Sequence, residues 1–345
     1  MSILKGTFNK AVLLVGLALL SVFMAPVTKG MAYEWPEEGN LFWPASPARP
    51  HIYFVKSIST SSYLNVRKSL WQKMEKFLFG NNDHYLIKPS AIAVDQKGDL
   101  YFTDSQAGAV YIYSPTQRRL KQITSVEKLA LVSPVGIAVS AGGVAFVTDS
   151  YLNRVFALQP NGRTQFILGK HEGLLRPTGL FVKKDKLYVV DSQACQVNVF
   201  DMKGKFLFHF GRKGKGGGEF NTPTYIFVDD QERIYVSDTL NFQVQIFNSQ
   251  GQYLNSIGKI GDSSGSFSRP KGVALDALGH VYVVDAIFDN VQIFDTNGVF
   301  LLSFGTSGNM EGQFWLSSGI AVDANNYIYI ADTYNQRISI YQYRD

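Results

Sequence analysis

An aspartate recurs six times along this sequence, each time at the end of a short hydrophobic run, and it limits the possible folds more than any other feature. Successive copies lie 42 to 47 residues apart. Six residues after each aspartate, a β-branched residue opens the next hydrophobic run. Periods of this size are typical of propellers and solenoids, and runs of this kind indicate strands. The aspartates are Asp104, Asp149, Asp191, Asp238, Asp285 and Asp332, and the β-branched residues are Val110, Val155, Val197, Val244, Val291 and Ile338.

A second column lies upstream of the aspartates. Proline fixes φ and cannot donate to a strand ladder, so a recurring proline is expected at the start of a strand. A large apolar residue precedes it by three positions in every repeat, and we expect this side chain to pack between neighbouring sheets. The strand-opening residues are Pro89, Pro134, Pro177, Pro223, Pro270 and Ser317, and the apolar residues are Leu86, Leu131, Leu174, Phe220, Phe267 and Phe314.

Each repeat has room for four strands joined by tight turns. In the fifth repeat the predicted strands cover residues 271–276, 280–285, 291–295 and 299–304, and the turn at 295–298 reads Asp-Thr-Asn-Gly, which is hairpin chemistry. Sheets repeated around an axis leave little exposed edge. The sequence therefore predicts an all-β, six-bladed β-propeller of four-stranded antiparallel blades over residues 86–345.

The sixth repeat reaches only its third predicted strand, at 338–341. Residues 51–59 contain an isolated strand pattern whose Ser57-Ile58 matches Ser256-Ile257 at the end of an outer strand in the fourth repeat. We expect this N-terminal strand to complete the last blade and close the ring.

These repeats resemble the NHL family. The segment Asp-Thr-Tyr-Asn-Gln-Arg-Ile at 332–338 and the segment Pro-Lys-Gly-Val-Ala-Leu-Asp at 270–276 carry the resemblance, which covers about residues 86–345. The first three copies depart from it, for example with Ala107 and Ala194 where Asn241 and Asn335 stand later. The resemblance implies a propeller that recognises proteins, RNA or other large partners, and it does not fix the ligand.

The first 32 residues have the composition of a signal peptide. Lys5 and Lys10 precede an apolar run, and Gly30 and Ala32 have the small-residue spacing of a cleavage site. We predict export to the periplasm or the extracellular space, residues 33–50 as a linker and residues 51–345 as the propeller. An uncleaved membrane anchor is the alternative. The segment holds three lysines and no acid, so the formal charge falls from +5 to +2 without it. A nearly neutral domain lacks the basic footprint of a nucleic-acid binder.

A short helical insertion is predicted at residues 64–80, because apolar residues recur there at helical spacing. Its other face is basic. Such a helix packs its apolar face on the fold or lies on an anionic membrane, and we expect the first arrangement.

Motifs for catalysis are not found in the sequence, and we predict no catalytic residue, metal or cofactor. An aspartate repeated in every blade is expected to bind its own turn rather than a metal. His84 and His171 are the histidines best placed for a ligand site, and two ligands are too few for catalytic zinc. The favoured function is a non-catalytic, monomeric extracytoplasmic binding scaffold for a protein or an extracellular polymer. The alternative is a metal-dependent lyase-like or lactonase-like enzyme with a site in the central channel.

Two groups of candidate binding residues follow from the repeat. Cations precede the strand-opening proline in alternate blades and would hold an anion if they faced the channel; they are Lys88, Arg176 and Arg269. The alternative is that each cation pairs with a nearby aspartate of the repeat or lies exposed. Apolar residues follow the aspartates, where loops are normally polar, and are predicted to contact the partner; they are Tyr151, Leu240, Phe242, Ile287, Phe288 and Tyr334. Phe242 and Phe288 could instead pack between blades.

Overall fold

The computed structural model describes residues 41–45, 48–49, 51–60 and 86–344. Its strands form six antiparallel sheets of four or five strands, one for each repeat. The structure confirms the predicted six-bladed propeller. The short 3-10 helices at Lys170–Glu172 and Thr239–Asn241 are the helical segments of the described residues.

The strands of the first three blades follow the repeat. Blade 1 contains Pro89–Val94, Leu100–Asp104, Ala109–Ser114 and Arg119–Ile123. Blade 2 contains Pro134–Val139, Ala145–Asp149, Arg154–Leu158 and Thr164–Leu168. Blade 3 contains Pro177–Lys183, Lys186–Asp191, Gln196–Asp201 and Phe206–Phe210.

The later blades repeat this order. Blade 4 contains Pro223–Val228, Ile234–Asp238, Gln243–Phe247 and Tyr253–Ile257. Blade 5 contains Pro270–Leu275, Val281–Asp285, Asn290–Phe294 and Phe300–Phe304, within one residue of the predicted bounds. Blade 6 contains Ile320–Val322, Tyr327–Asp332 and Arg337–Tyr343. Two-stranded ribbons join some blades, at Ser125–Val126 with Leu129–Ala130, Arg212–Lys213 with Glu219–Phe220, and Thr306–Ser307 with Gln313–Phe314.

An N-terminal strand closes the ring, as predicted. Ile52–Ile58 pairs antiparallel with Arg337–Tyr343, in a register that sets Ile58 opposite Ile338. A further short strand, Phe42–Trp43, pairs with Ile52–Ile58 at the outer edge of blade 6 and was not predicted. It falls within the segment interpreted as a linker.

The core lies between the blades. Each of six buried clusters combines side chains from two neighbouring blades. The large apolar residue three positions before each strand-opening residue is buried in all six repeats. Close packing around it needs glycine: Gly305 has φ +85°, and a Cβ there would overlap the ring of Phe314. These contacts explain why the apolar column recurs once in each blade.

Several predictions lie outside the described residues. They are the signal peptide at 1–32, most of the linker, the helix at 64–80 and the placement of His84. The proposed domain boundaries therefore stay predictions. Within the described ranges, the model contains no helix that is long and apolar enough to cross a membrane.

Candidate functional site: the loop face

The six repeated aspartates tie two kinds of loop together on one face of the propeller. One is the loop that follows the aspartate, and the other is the segment that connects one blade to the next. Asp285 is fully buried and accepts hydrogen bonds from the backbone N–H groups of Ser268 (2.7 Å) and Arg269 (3.1 Å) in the connecting segment. It also accepts from Ile287 (3.0 Å) and Phe288 (3.1 Å) in the following loop. We call the surface formed by these two kinds of loop the loop face.

The other aspartates accept hydrogen bonds in the same way. Asp104 and Asp149 bind backbone N–H groups of both loops. In blades 4 and 6, side chains replace some of these donors: Asp238 accepts from Asn241 and Gln245, and Asp332 accepts from Asn335 and Arg337. Burial raises the pKa of both carboxyls, because removing a charge from water disfavours the ionised form. Through these hydrogen bonds, the repeated aspartates hold the loops in place in the same way in each blade.

Four of the predicted partner-binding residues are exposed on the loop face. Tyr151 is the most exposed, at 72%. Leu240, Ile287 and Tyr334 are between 39% and 45% exposed. Phe242 and Phe288 are half-buried, and Phe242 takes a left-handed conformation with φ +58° at the end of the 3-10 helix Thr239–Asn241. Whether these six residues contact a partner stays a prediction.

The structure adds four exposed apolar residues that the sequence analysis missed. They stand two positions before the strand-opening residue, in the connecting segments of blades 1, 2, 3 and 6. Trp315 is 51% exposed, and its ring centroid lies 5.7 Å from that of Tyr334. The backbone N–H of Tyr334 donates to the carbonyl of Trp315 (3.1 Å). The same position can be read from the sequence, but it is apolar in only four blades and is occupied by Asn221 and Ser268 in blades 4 and 5. Together the exposed residues form the loop-face apolar set: Ile87, Val132, Tyr151, Leu175, Leu240, Ile287, Trp315 and Tyr334.

The predicted cations divide into two groups. Lys88 lies over an aromatic ring, with its Nζ 5.1 Å from the ring centroid of Tyr334. Arg176 and Arg269 are exposed, and their charges lower the pKa of Lys271, which is the first residue after the strand-opening Pro270. Burial, followed by the charges of Arg269 and Arg176, lowers the pKa of Lys271 to about 8. A three-fold cation ring stays a prediction.

The central channel is lined by the inner strands of all six blades. It encloses a cavity of about 170 Å³ whose lining side chains are apolar apart from Tyr225. The Tyr225 hydroxyl donates across the axis to the backbone carbonyl of Ser90 (2.9 Å), so blade 4 is joined to blade 1. Burial raises the pKa of Tyr225 to about 12.

The structure brings no three potential metal ligands together among the described His, Cys, Asp and Glu residues. His171 lies exposed in the 3-10 helix Lys170–Glu172. That no metal binds this protein stays a prediction.

Comparisons with known proteins agree with the fold. A family model described as a 6-bladed beta-propeller matches residues 174–234 and 230–288, and a model of the NHL repeat matches residues 314–341. No curated protein matches the sequence significantly.

Many solved structures share the architecture. A streptogramin B lyase is similar with a TM-score of 0.58 at 12% identity, over 75% of this chain and 94% of that chain. A gluconolactonase from Xanthomonas campestris has a TM-score of 0.58 at 15% identity, over 75% and 87%. A protein of unknown function from Bacteroides thetaiotaomicron has a TM-score of 0.60 at 14% identity, over 75% and 70%. At these identities the likeness shows the fold alone.

Proposed function

Because this chain is a six-bladed β-propeller of NHL-type repeats, we propose that it is a non-catalytic, extracytoplasmic scaffold that binds a protein partner through its loop face. The single observation that carries the proposal is the loop-face apolar set, defined above. Surface loops are normally polar, and exposed apolar groups gathered on one face are typical of interaction sites.

The composition of the set also supports a protein partner. Trp315, Tyr334 and Tyr151 are aromatic residues with a polar group, and such residues are frequent energetic anchors of protein interfaces. The Trp315 and Tyr334 rings already contact each other, so little side-chain freedom is lost when a partner covers them.

The buried aspartates also support the proposal, because they hold the loops in place. The backbone of each loop is bonded to the neighbouring connecting segment, as in the bond from Leu240 N–H to the carbonyl of Asn221 (3.0 Å). Loops held in this way lose little entropy on binding. The face is thus prepared for recognition before a partner arrives.

The likeness to a lyase and a gluconolactonase does not favour a reaction for this chain, because it extends to the fold alone. The channel cavity offers apolar side chains and the Tyr225 hydroxyl, which is already bonded to Ser90. No observation on the described residues favours a second function over binding.

The double substitution Leu240→Ser and Ile287→Ser tests the proposal. Both side chains are exposed, so the melting temperature should change by less than about 2 °C. Loss of two interface anchors should weaken capture of the partner by roughly 30-fold or more. The measurement is a quantitative crosslinking pull-down from the native cell envelope, followed by titration of the purified partner.

A matched control is available on the outer strands of blades 4 and 5. Leu254 and Leu301 are similarly exposed there, away from the loop face. Leu254→Ser with Leu301→Ser should leave capture unchanged. If the loop-face variant still captured the partner and this control did not, the interface would lie on the outer strands. A polysaccharide rather than a protein in the captured material would overturn the partner class.

A further inference from the structure

A groove opens between the outer parts of blades 5 and 6, on the side of the propeller opposite the loop face. His51 begins the closing strand, Tyr343 ends the last strand of blade 6, and His280 ends the first turn of blade 5, all at strand ends remote from the repeated aspartates. These residues line a cavity of about 400 Å³, which we call the seam groove. Small-molecule sites usually have volumes of about 300–1,000 Å³, so the groove can hold a small organic molecule.

The N-terminal segment forms one side of the seam groove. The ring centroid of Trp43 lies 6.0 Å from that of Phe304 in blade 5 and 5.8 Å from that of Tyr341 in blade 6, so Trp43 packs across the seam. Pro44 and Arg49 follow in the chain and line the cavity. Arg49 is exposed, and among the described residues it has no carboxylate within ion-pair distance. Its charge is therefore open to a ligand in the groove.

Other walls of the groove are apolar or aromatic. Ile293 and Leu302 line it from the third and fourth strands of blade 5. The Tyr343 ring lies against both histidines, with its centroid 4.9 Å from that of His280 and 5.8 Å from that of His51. The groove thus offers an apolar surface beside a small number of polar groups, which is the usual composition of a ligand site.

Each histidine of the groove uses one ring nitrogen to hold its position. His280 Nδ1 lies 2.7 Å from a carboxylate oxygen of the buried Asp276, and the Tyr282 hydroxyl donates to the same oxygen (2.9 Å). His51 Nδ1 lies 3.2 Å from the backbone carbonyl of Arg344. These oxygens accept, so Nδ1 donates in both rings. Among the described residues, neither Nε2 forms a hydrogen bond, and both rings line the cavity.

The turn of blade 5 does not itself require a histidine. In blade 4 the same position carries Arg233, whose Nε donates to Asp229 at 2.7 Å. The bond to the turn aspartate accounts for Nδ1 of His280 but not for a ring whose second nitrogen borders a cavity shared with His51 and Arg49.

We propose that the seam groove binds a small organic acid, a carboxylate with an unbranched apolar chain such as octanoate. Arg49 forms a charge-assisted hydrogen bond with the carboxylate, and each imidazole donates through Nε2 when it is protonated. Ile293 and Leu302 cover the chain and remove it from water. The site goes beyond the scaffold function, because it uses no residue of the loop-face apolar set and can be tested without a partner.

Isothermal titration of the full chain with sodium octanoate tests the proposal. We expect one site per chain. Arg49→Gln should weaken octanoate binding about tenfold or more, and Arg49→Lys, which keeps the charge, should restore most of the affinity. Arg49 is exposed, so both variants are expected to fold. The control Lys203→Gln removes an exposed cation from a turn of blade 3 and should change the affinity less than about twofold.

A series of ligands tests the apolar part of the site. From butyrate through hexanoate to octanoate, each added methylene group should tighten binding about two- to fourfold, because it buries more apolar surface. Octanol has the same chain without the charge and should bind about tenfold more weakly than octanoate. Equal affinities for acetate and octanoate, or for octanol and octanoate, would overturn the assignment of an acid with an apolar chain.

The two histidines provide a second readout. Imidazole is the side chain that ordinarily changes charge between pH 5 and 8. Burial, followed by the charge of Asp276, raises the pKa of Tyr282, so this hydroxyl stays neutral in that range. The titratable or charged groups around the two rings are Arg49, Arg344, Asp276, Tyr282 and Tyr343.

Lowering the pH from 8 to 6 should therefore tighten octanoate binding about threefold or more, since a protonated ring attracts the anion and a neutral one does not. The ligand itself stays ionised, as a glutamate side chain does. The double variant His51→Asn with His280→Asn keeps a donor near each Nδ1 and should bind octanoate through Arg49 without this pH dependence. A pH dependence that survives in the double variant would overturn the role of the histidines.

Equal octanoate affinity in the wild type and Arg49→Gln, or no binding at about millimolar octanoate, would overturn the site. Either result leaves the scaffold proposal unaffected, because capture of a protein partner depends on the loop face at the other end of the blades.

Discussion

Deletion of the strand Ile52–Ile58 is expected to unfold the whole propeller and not only its last blade. Four apolar side chains of this strand are buried, and they belong to two clusters. Ile52 and Phe54 pack with blades 5 and 6, whereas Val55 and Ile58 pack with blades 6 and 1. Each buried apolar side chain contributes about 1.5–3 kcal/mol, so the loss of about 6–12 kcal/mol approaches the total stability of a typical domain. Thermal unfolding followed by circular dichroism should show no cooperative transition.

A single substitution tests the same interface without removing chain. Phe54 is 3% exposed and its ring lies 5.4 Å from that of Tyr341, so Phe54→Ala should cost about 3–5 kcal/mol and lower the melting temperature by roughly 10 °C. Phe42 is 39% exposed on the adjacent edge strand, and Phe42→Ala should have little effect. If the deletion variant melted like the wild type, the N-terminal strand would not close the ring.

Replacement of Asp285 by alanine is expected to destabilise the protein by about 3–5 kcal/mol, because four backbone N–H groups lose their acceptor at once. Asp285→Asn keeps one acceptor oxygen, so its free energy of unfolding should fall by about half as much. Chemical denaturation gives these values. Hydrogen exchange should show faster exchange at residues 268–269 and 287–288 in particular.

Asp295 provides the control for this prediction. It also accepts hydrogen bonds from turn N–H groups, at Asn297 (2.9 Å) and Val299 (2.8 Å), but these lie exposed on the opposite face. Water can replace the carboxylate there, so Asp295→Ala should lower the free energy of unfolding much less than Asp285→Ala does. Equal effects of the two substitutions would contradict the special role of the buried column.

The ring was predictable from the sequence because its determinants recur in every repeat. A proline that cannot donate must open a strand, and Pro270 does so opposite Asp285. The missing outer strand of blade 6 pointed to a closing strand elsewhere, and the pairing of Ile58 with Ile338 confirms it. The edge strand Phe42–Trp43 escaped prediction because two residues are too few for a pattern.

The candidate sites were less predictable, because they arise from departures from the repeat. Lys271 stands in a column of small residues, and Tyr225 stands in a column of glycine and alanine. Each is visible in the sequence as an exception, yet its meaning depends on which residues the ring brings opposite it. Tyr225 and Ser90 are 135 residues apart in the chain, and the sequence alone could not show that the Tyr225 hydroxyl bonds to the Ser90 carbonyl.

The closing strand also determines the order in which this protein can be assembled. Ser57 and Ser339, whose hydroxyls are in contact across the closing pair, are separated by 282 residues in sequence. Joining the ends of a flexible loop this long costs about 5 kcal/mol in entropy, and the partner strand Arg337–Tyr343 is synthesised after the other strands described here. Five blades can form their sheets before that point, since each is built from local hairpins. The circle itself cannot exist until residues 337–343 have left the ribosome, so every nascent chain passes through an open form with unpaired sheet edges.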